Sequence, residues 1–269
     1  MSAAMADRSR HPTLPEGLIP MIAIRASRAV AALRTVCRLA PCLVAGAFAV
    51  AAHAASTVPP SPTQSTDLLL GLFVNGDLSK GQQYNDAMRG VSGGAQQVDL
   101  ETYATLRAQN PRLLAERITE TMPEARREAM AEPLRRLLSA VADAIGRSRC
   151  RTMGETRELD PANDEQWIAK VGYTCEIANL APVMERLRVT LPRQQITSEK
   201  AAEAAAVNRM SRLADMIPSA PIELPVSGTL ELQGSDMTGW RAPAAGDMID
   251  VVSRPILDAV GIPAEMKGQ

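Results

Sequence analysis

Two cysteines that face each other across a predicted turn constrain this chain more than any other feature. The segment CRTMGETRELDPANDEQWIAKVGYTC runs from Cys150 to Cys175, and its middle, DPAND, is rich in turn-forming residues. If the flanks pair antiparallel about a turn centred between Ala162 and Asn163, the two cysteines lie directly opposite each other. The spacing therefore predicts a β-hairpin closed by a Cys150–Cys175 disulfide, worth about 3.5 kcal/mol in the chain-entropy model.

The flank after the turn has the pattern of a half-buried strand. Alternate positions are apolar while most positions between them are polar: Trp167, Ala169, Val171, Tyr173, Cys175 and Ile177 form the apolar set. The flank before the turn is polar on both faces, which is typical of an edge strand.

A disulfide requires an oxidising compartment, and the N-terminal segment predicts export to one. Four arginines lie between residues 25 and 38, followed by the apolar run LAPCLVAGAFAVAA of residues 39–52. The run ends in an A-x-A motif that places signal cleavage between Ala54 and Ala55. Residues 1–54 are therefore interpreted as a signal peptide of a periplasmic or secreted protein, with Met21 as the start that best fits its length.

A mitochondrial transit peptide is the competing interpretation, because the segment is also rich in arginine and alanine and poor in acidic residues. The apolar run of about 14 residues is shorter than the roughly 20 that a membrane-spanning helix needs. We therefore expect no permanent membrane span after cleavage.

Cleavage would leave a chain without histidine, since His11 and His53 both precede Ala55. Such a chain excludes Ser-His-Asp and Cys-His catalysis, and two cysteines alone cannot complete a zinc site. Removal of six arginines and two acidic residues gives a net charge of −5, which argues against a nucleic-acid partner. We predict no catalytic residue, cofactor or metal site.

The rest of the sequence predicts a helix-dominated α+β fold. Residues 55–66, rich in Ser, Thr and Pro, predict a disordered linker, and residues 67–148 predict a long helical region. Residues 149–269 predict a mixed region in which two small antiparallel hairpins pack with helices. The second hairpin would turn at Ser227-Gly228.

Prolines mark the expected helix boundaries. Asn110 and Pro111 have the pattern of an N-cap and first helical residue, and Pro133 is expected to kink or split the helix that Pro123 opens. That helix presents one apolar face, which consists of Met130, Leu134, Leu137, Val141 and Ile145.

Two motifs resemble functional sites without their usual context. Residues 90–94, GVSGG, match the G-x-S-x-G motif of serine hydrolases, but they follow a predicted helix and lack a histidine base, so we interpret them as a loop. Asp160, Asn163, Asp164 and Glu165 could ligate calcium, but they lack the spacing of an EF-hand and are more ordinary as a solvated turn.

Trp240 and Arg241 are the candidate recognition residues. They lie in the polar segment GSDMTGWRAPAAGD, where an exposed tryptophan would suit a binding surface. A tryptophan that caps the core is the alternative interpretation.

Two functional hypotheses follow. The favoured one is an exported, non-catalytic binding or interaction protein, such as an accessory factor, inhibitor or chaperone-like component, with another envelope or secreted protein as its partner. The alternative is a carboxylate-based hydrolase of envelope glycans, which requires a cleft with two carboxylates about 5 to 9.5 Å apart.

Overall fold

Four helices make up the first part of the described chain. The computed structural model describes residues 58–191 and 198–262, except for the side chain of Asp164. The predicted signal peptide, including Met21 and the cleavage point at Ala54 and Ala55, lies outside these residues. The helices are α1 (Pro62–Phe73), α2 (Leu78–Met88), α3 (Leu100–Thr119) and α4 (Glu124–Gly146).

Helix α1 begins earlier than predicted. The Gln64 N–H donates to the Ser61 hydroxyl, and the Ser61 N–H donates to the Gln64 side chain, so the two residues form a capping box. Pro62 occupies the first helical position, where its missing N–H costs nothing. The prediction of a disordered linker is therefore wrong for residues 62–66, because this Ser/Pro pattern starts a helix.

Helices α3 and α4 each run through a proline that was expected to interrupt them. The N-cap of α3 is Asp99 and not Asn110, because the Asp99 side chain accepts the Thr102 N–H at 3.0 Å. Pro111 therefore lies inside the helix and does not begin it. Pro133 lies inside α4, and the helix is continuous from Glu124 to Gly146. Both helices continue through their proline, so neither residue marks a helix boundary.

The second part of the chain contains one antiparallel sheet and three helices. The strands are β1 (Arg149–Asp160), β2 (Asn163–Ala178), β3 (Ile222–Ser235) and β4 (Gly239–Arg241), arranged in that order. The helices are α5 (Ala181–Thr190), α6 (Glu199–Met216) and α7 (Gly246–Val260). The predicted mixture of helices with antiparallel strands is confirmed.

The predicted hairpin at Ser227-Gly228 is wrong, because β3 continues through both residues. Gly228 is the cross-strand partner of Tyr173, and a Cβ at this position would overlap the Tyr173 hydroxyl. The glycine therefore makes room for a neighbouring ring and forms no turn. The second hairpin joins β3 to β4, and both hairpins belong to the same sheet.

The pairing of the first hairpin brings the cysteines together as predicted. Cys150 lies opposite Cys175, with Cα atoms 4.0 Å apart, and the two form a disulfide. The tip differs from the prediction, since Asp160 pairs with Asn163 and the register shifts there and again beside Met153. From the tip to the cysteines the two shifts displace the pairing by a net two residues, an even number, so each side chain keeps its face of the sheet.

The core lies against one face of this sheet. The apolar set of β2 is buried from Ala169 to Ile177, and helices α1, α4 and α7 contact the strands. The opposite face carries exposed polar residues such as Lys170, Glu176 and Glu231. All the described residues belong to one compact unit.

Candidate functional site

Trp240, predicted as an exposed recognition residue, lies in the core. Its side chain is 1% exposed, its indole N–H donates to Asp236 at 3.2 Å, and its carbonyl accepts the Tyr84 hydroxyl at 2.9 Å. The prediction of exposure is wrong because β4 pairs with the end of β3 and directs this ring onto the buried face. Its neighbour Arg241 is exposed.

Arg157 holds the edge of the sheet beside this tryptophan. Its guanidinium lies 5.2 Å from the centre of the Trp240 ring and pairs with Asp236 at 2.9 Å and with Glu155 at 2.8 Å. Burial favours the neutral form of Glu155, but hydrogen bonds from Thr63 and Arg157 hold the pKa of this carboxyl below its ordinary value. Every group in this network has a partner, so we interpret it as structural.

The two motifs without context keep their ordinary interpretation. Residues 90–94 form turns directly after α2, whereas a nucleophile elbow needs a strand before it. At the DPAND turn the Asp160 and Asn163 side chains accept backbone N–H groups of Ala162 and Glu165. Nowhere in the described ranges do three His, Cys, Asp or Glu side chains come close enough to hold a metal ion.

An apolar concavity that suits a binding role is a groove bounded by three helices. Helix α4 forms its floor, while α3 and α7 form its walls, and its volume is about 520 Å³. The apolar lining consists of Pro111, Leu113, Leu114, Leu138, Val141, Ala142, Ile145, Ile249 and Leu257. We call this concavity the helical groove.

A second cavity extends the helical groove toward α1. It measures about 370 Å³ and shares five lining residues with the first cavity: Asn110, Leu113, Ala142, Ile145 and Ile249. Phe73 and Tyr103 line it as an edge-to-face pair with ring centres 5.4 Å apart. Leu106, also on its wall, is 55% exposed and Leu113 is 43% exposed, so the groove presents two unshielded leucines to solvent.

Helix α3, the wall that carries these leucines, has little packing of its own. Only Ala115 and Thr119 are buried among its twenty residues, and both lie in its last two turns. A further cavity of about 380 Å³ lies on the other side of the helix, lined by Ala104, Ala108 and Pro111. The first half of α3 therefore stands between two cavities.

Polar groups hold that half of α3 to the end of α1. The Tyr103 hydroxyl donates to the Leu72 carbonyl at 2.8 Å, and Arg107 donates to the carbonyls of Phe73 and Val74 at 3.2 and 3.3 Å. These carbonyls belong to the last turn of α1 and its C-cap Val74, and the Leu72 carbonyl also accepts the Gly76 N–H at 2.9 Å. Tyr103 and Arg107 thus fix α3 through side-chain hydrogen bonds.

The rim of the helical groove carries both signs of charge. Arg117 stands on the α3 side and Asp250 on the α7 side. Among the described residues the Arg117 guanidinium has no ion pair or hydrogen-bonding partner. A ligand that carries a carboxylate at this end would therefore meet an available cation.

A cleft between β3 and α7 contains acidic residues that could serve the hydrolase hypothesis. Its lining includes Asp247, Asp250 and Arg254, and its volume is about 640 Å³. Both aspartates are exposed, and no Asp or Glu is found among the buried residues of the described chain. The cleft thus lacks a carboxyl group in the apolar setting that a general acid needs.

The groove residues were missed at the level of sequence. Helix α3 carries two apolar stripes, Leu106–Leu113 and Leu114–Ile118, and only the second packs against the core. The second apolar stripe of α3 was the available signal, because a helix that only packs on the core needs one such stripe.

No helix in the described ranges combines the length and apolar character needed to cross a membrane. Comparison of the chain with protein-family models, with curated proteins and with solved structures gives no match. Function must therefore be inferred from the groove and its chemistry.

Proposed function

We propose that the protein is exported to the periplasm or secreted, and that it acts there without catalysis as a binding protein for another envelope or secreted protein. Its helical groove takes an amphipathic helix of that partner. An accessory factor, an inhibitor or a chaperone-like component would each use such a surface. The exposure of Leu106 and Leu113 on the wall of an apolar groove carries the proposal.

The dimensions of the groove suit a helix of about four turns. Its α3 wall runs from Tyr103 to Arg117, a length of about 21 Å at the α-helical rise. The floor and walls are themselves helices, so a fourth helix would pack by the same spacing of ridges and grooves. A partner helix with apolar residues every three or four positions would cover both exposed leucines.

The charges on the rim favour one orientation of the partner. Arg117 has no partner of its own in the described chain, so we expect an acidic residue of the bound helix to lie beside it. Export is supported by the Cys150–Cys175 disulfide, which persists in oxidising compartments. The hydrolase alternative has only the exposed pair Asp247 and Asp250 in its support.

Site-specific crosslinking in producing cells tests the proposal. A photoreactive amino acid would replace Leu113 in the groove or, as the matched control, the exposed Met153 on β1. We expect position 113, and not 153, to crosslink one envelope protein through a helical segment. A peptide of that segment should then bind the purified protein, and Leu113→Asp should weaken this binding at least tenfold while Met153→Asp leaves it unchanged.

Two results would overturn the proposal. One is identical crosslinking from positions 113 and 153, which would show that the groove has no preference. The other is cleavage of envelope glycans by the purified protein that Asp247→Asn abolishes, which would favour the hydrolase alternative.

A further inference from the structure

The end of the sheet opposite the disulfide carries exposed apolar side chains. Leu159 on β1 and Trp167 on β2 are direct cross-strand partners, and they are 52% and 41% exposed. Met237, in the turn between β3 and β4, is 84% exposed, and Gly234 just before that turn pairs with Trp167. We call Leu159, Trp167 and Met237 the tip patch.

Trp167 is exposed although it continues the buried face of its strand. It is in phase with Ala169 and Val171, which are fully buried, so its ring lies on the same face of the sheet beyond the last residue that the core covers. Tryptophan is among the residues that are enriched at the hot spots of protein interfaces. The neighbouring Arg157 and Trp240 fix the strand ends beneath it through the network described above.

The surroundings of the tip patch are strongly acidic. Residues 155–170 and 231–241 contain seven Asp or Glu and three basic residues, Arg157, Lys170 and the exposed Arg241. Arg157 is neutralised by Glu155 and Asp236, and Lys170 by Glu158 at 2.7 Å, so the acidic charges remain in excess. The Asp160 and Glu165 carboxylates have no ion pair within the described part of the chain.

We propose that the tip patch binds a positively charged segment of another protein. An apolar side chain of the segment packs against Trp167 and Leu159, while its Lys or Arg residues lie beside Asp160 and Glu165. A basic side chain over the indole face adds a cation–π contact. This surface is at the end of the sheet and does not rest on the helical groove.

A membrane is the other surface that an exposed tryptophan suits, and the charges favour the peptide. Anionic lipid headgroups attract basic residues and repel a carboxylate rim such as this one. A basic peptide segment instead gains from every carboxylate that its charges approach, and this gain weakens with salt.

Calorimetric titration with two model peptides tests the inference. One peptide is built from Lys and Leu, and the other has the same length with every Lys replaced by Glu; vesicles of phosphatidylglycerol form a third titrant. We expect the protein, purified after expression of the full chain, to bind only the Lys/Leu peptide, with at least fivefold weaker affinity at 300 mM than at 50 mM salt.

Variants locate the binding at the tip. We expect Trp167→Ala to weaken Lys/Leu peptide binding at least tenfold and Glu165→Lys at least threefold. The matched controls are Met153→Ala, an exposed apolar residue elsewhere on β1, and Glu128→Lys on the exposed face of α4, and both should leave the affinity unchanged. All four positions are exposed, so unfolding is not expected, and unchanged circular dichroism would verify this.

Three results would overturn the inference. They are absence of Lys/Leu peptide binding at millimolar concentration, binding that Trp167→Ala leaves unchanged, and binding of the vesicles or of the Glu/Leu peptide in preference to the Lys/Leu peptide.

Discussion

The disulfide-bonded sheet and helix α3 are held in place by different kinds of interaction. The sheet has a disulfide and an uninterrupted row of buried side chains from Ala169 to Ile177. Helix α3 buries two small residues, stands between cavities, and relies on hydrogen bonds from Tyr103 and Arg107. The difference predicts that α3 opens locally at a lower free energy than the sheet, which the disulfide and the buried row hold together.

Loss of the disulfide should have the largest effect on this comparison. Replacing both Cys150 and Cys175 with alanine opens a loop of about 26 residues in the unfolded chain, and we expect the free energy of unfolding to fall by about 3.5 kcal/mol. Urea denaturation measures this change. Reductant should destabilise the native protein and leave the double variant unaffected. A decrease in the free energy of unfolding of less than about 1 kcal/mol would show that the sheet does not depend on its disulfide.

High pH should weaken the contact between α2 and the sheet. Burial raises the pKa of Tyr84 to about 12, against an opposing influence of the Arg241 charge. The unfolded chain has a tyrosine pKa near 10, so above about pH 10 it loses a proton that the folded chain retains, and stability falls as pH rises. Below pH 10 the titration of Tyr84 leaves the free energy of unfolding unchanged, and by pH 12 it lowers this free energy by up to about 2.7 kcal/mol.

Comparison of the native protein with Tyr84→Phe isolates this effect. Urea denaturation at pH 9 and pH 11.5 should show a smaller decrease for the variant, since other tyrosines and lysines titrate equally in both proteins. Equal decreases would contradict the assignment to Tyr84.

Removal of the Arg107 side chain should loosen α3 alone. Arg107→Met deletes the hydrogen bonds to Phe73, Val74 and Tyr103. We expect the free energy of local opening of α3 to fall by about 1 to 2 kcal/mol. Hydrogen exchange should accelerate in residues 100–113 and remain unchanged in β1 and β2. Arg112→Met, which removes an exposed ion pair with Glu116, is the matched control and should change hydrogen exchange neither in residues 100–113 nor in the sheet. Equal acceleration in the sheet would mean that α3 is part of the same cooperative unit.

Local chemistry was sufficient to predict features whose cause lies nearby in sequence. The alternation of β2 and the symmetry of the two cysteines predicted their pairing, because a hairpin joins neighbouring segments. The apolar face of α4 is buried from Met130 to Val141, in keeping with its period.

Tertiary contacts explain the features that the sequence did not reveal. Gly228 was interpreted as a turn residue because glycine is common in turns. Its actual role depends on Tyr173, more than fifty residues away, whose ring leaves no room for a side chain at position 228. Trp240 resembled a surface residue because its segment is polar, yet the pairing of β4 with β3 buries it. Leu106 and Leu113 form the wall of a groove only together with Ile249, which belongs to a distant part of the chain, so the segment around the leucines does not reveal the groove.

The order of strands in the sheet also has a consequence for how the chain folds. The central strand β2 pairs with β1 across a two-residue turn but with β3 only after α5 and α6 have been added to the chain. Contacts between near neighbours close small loops and form sooner than contacts between distant segments. If the protein is exported as proposed, β1 and β2 would pair and their cysteines would be oxidised while β3 is still in the translocation channel. The disulfide then preserves the edge on which the rest of the sheet assembles.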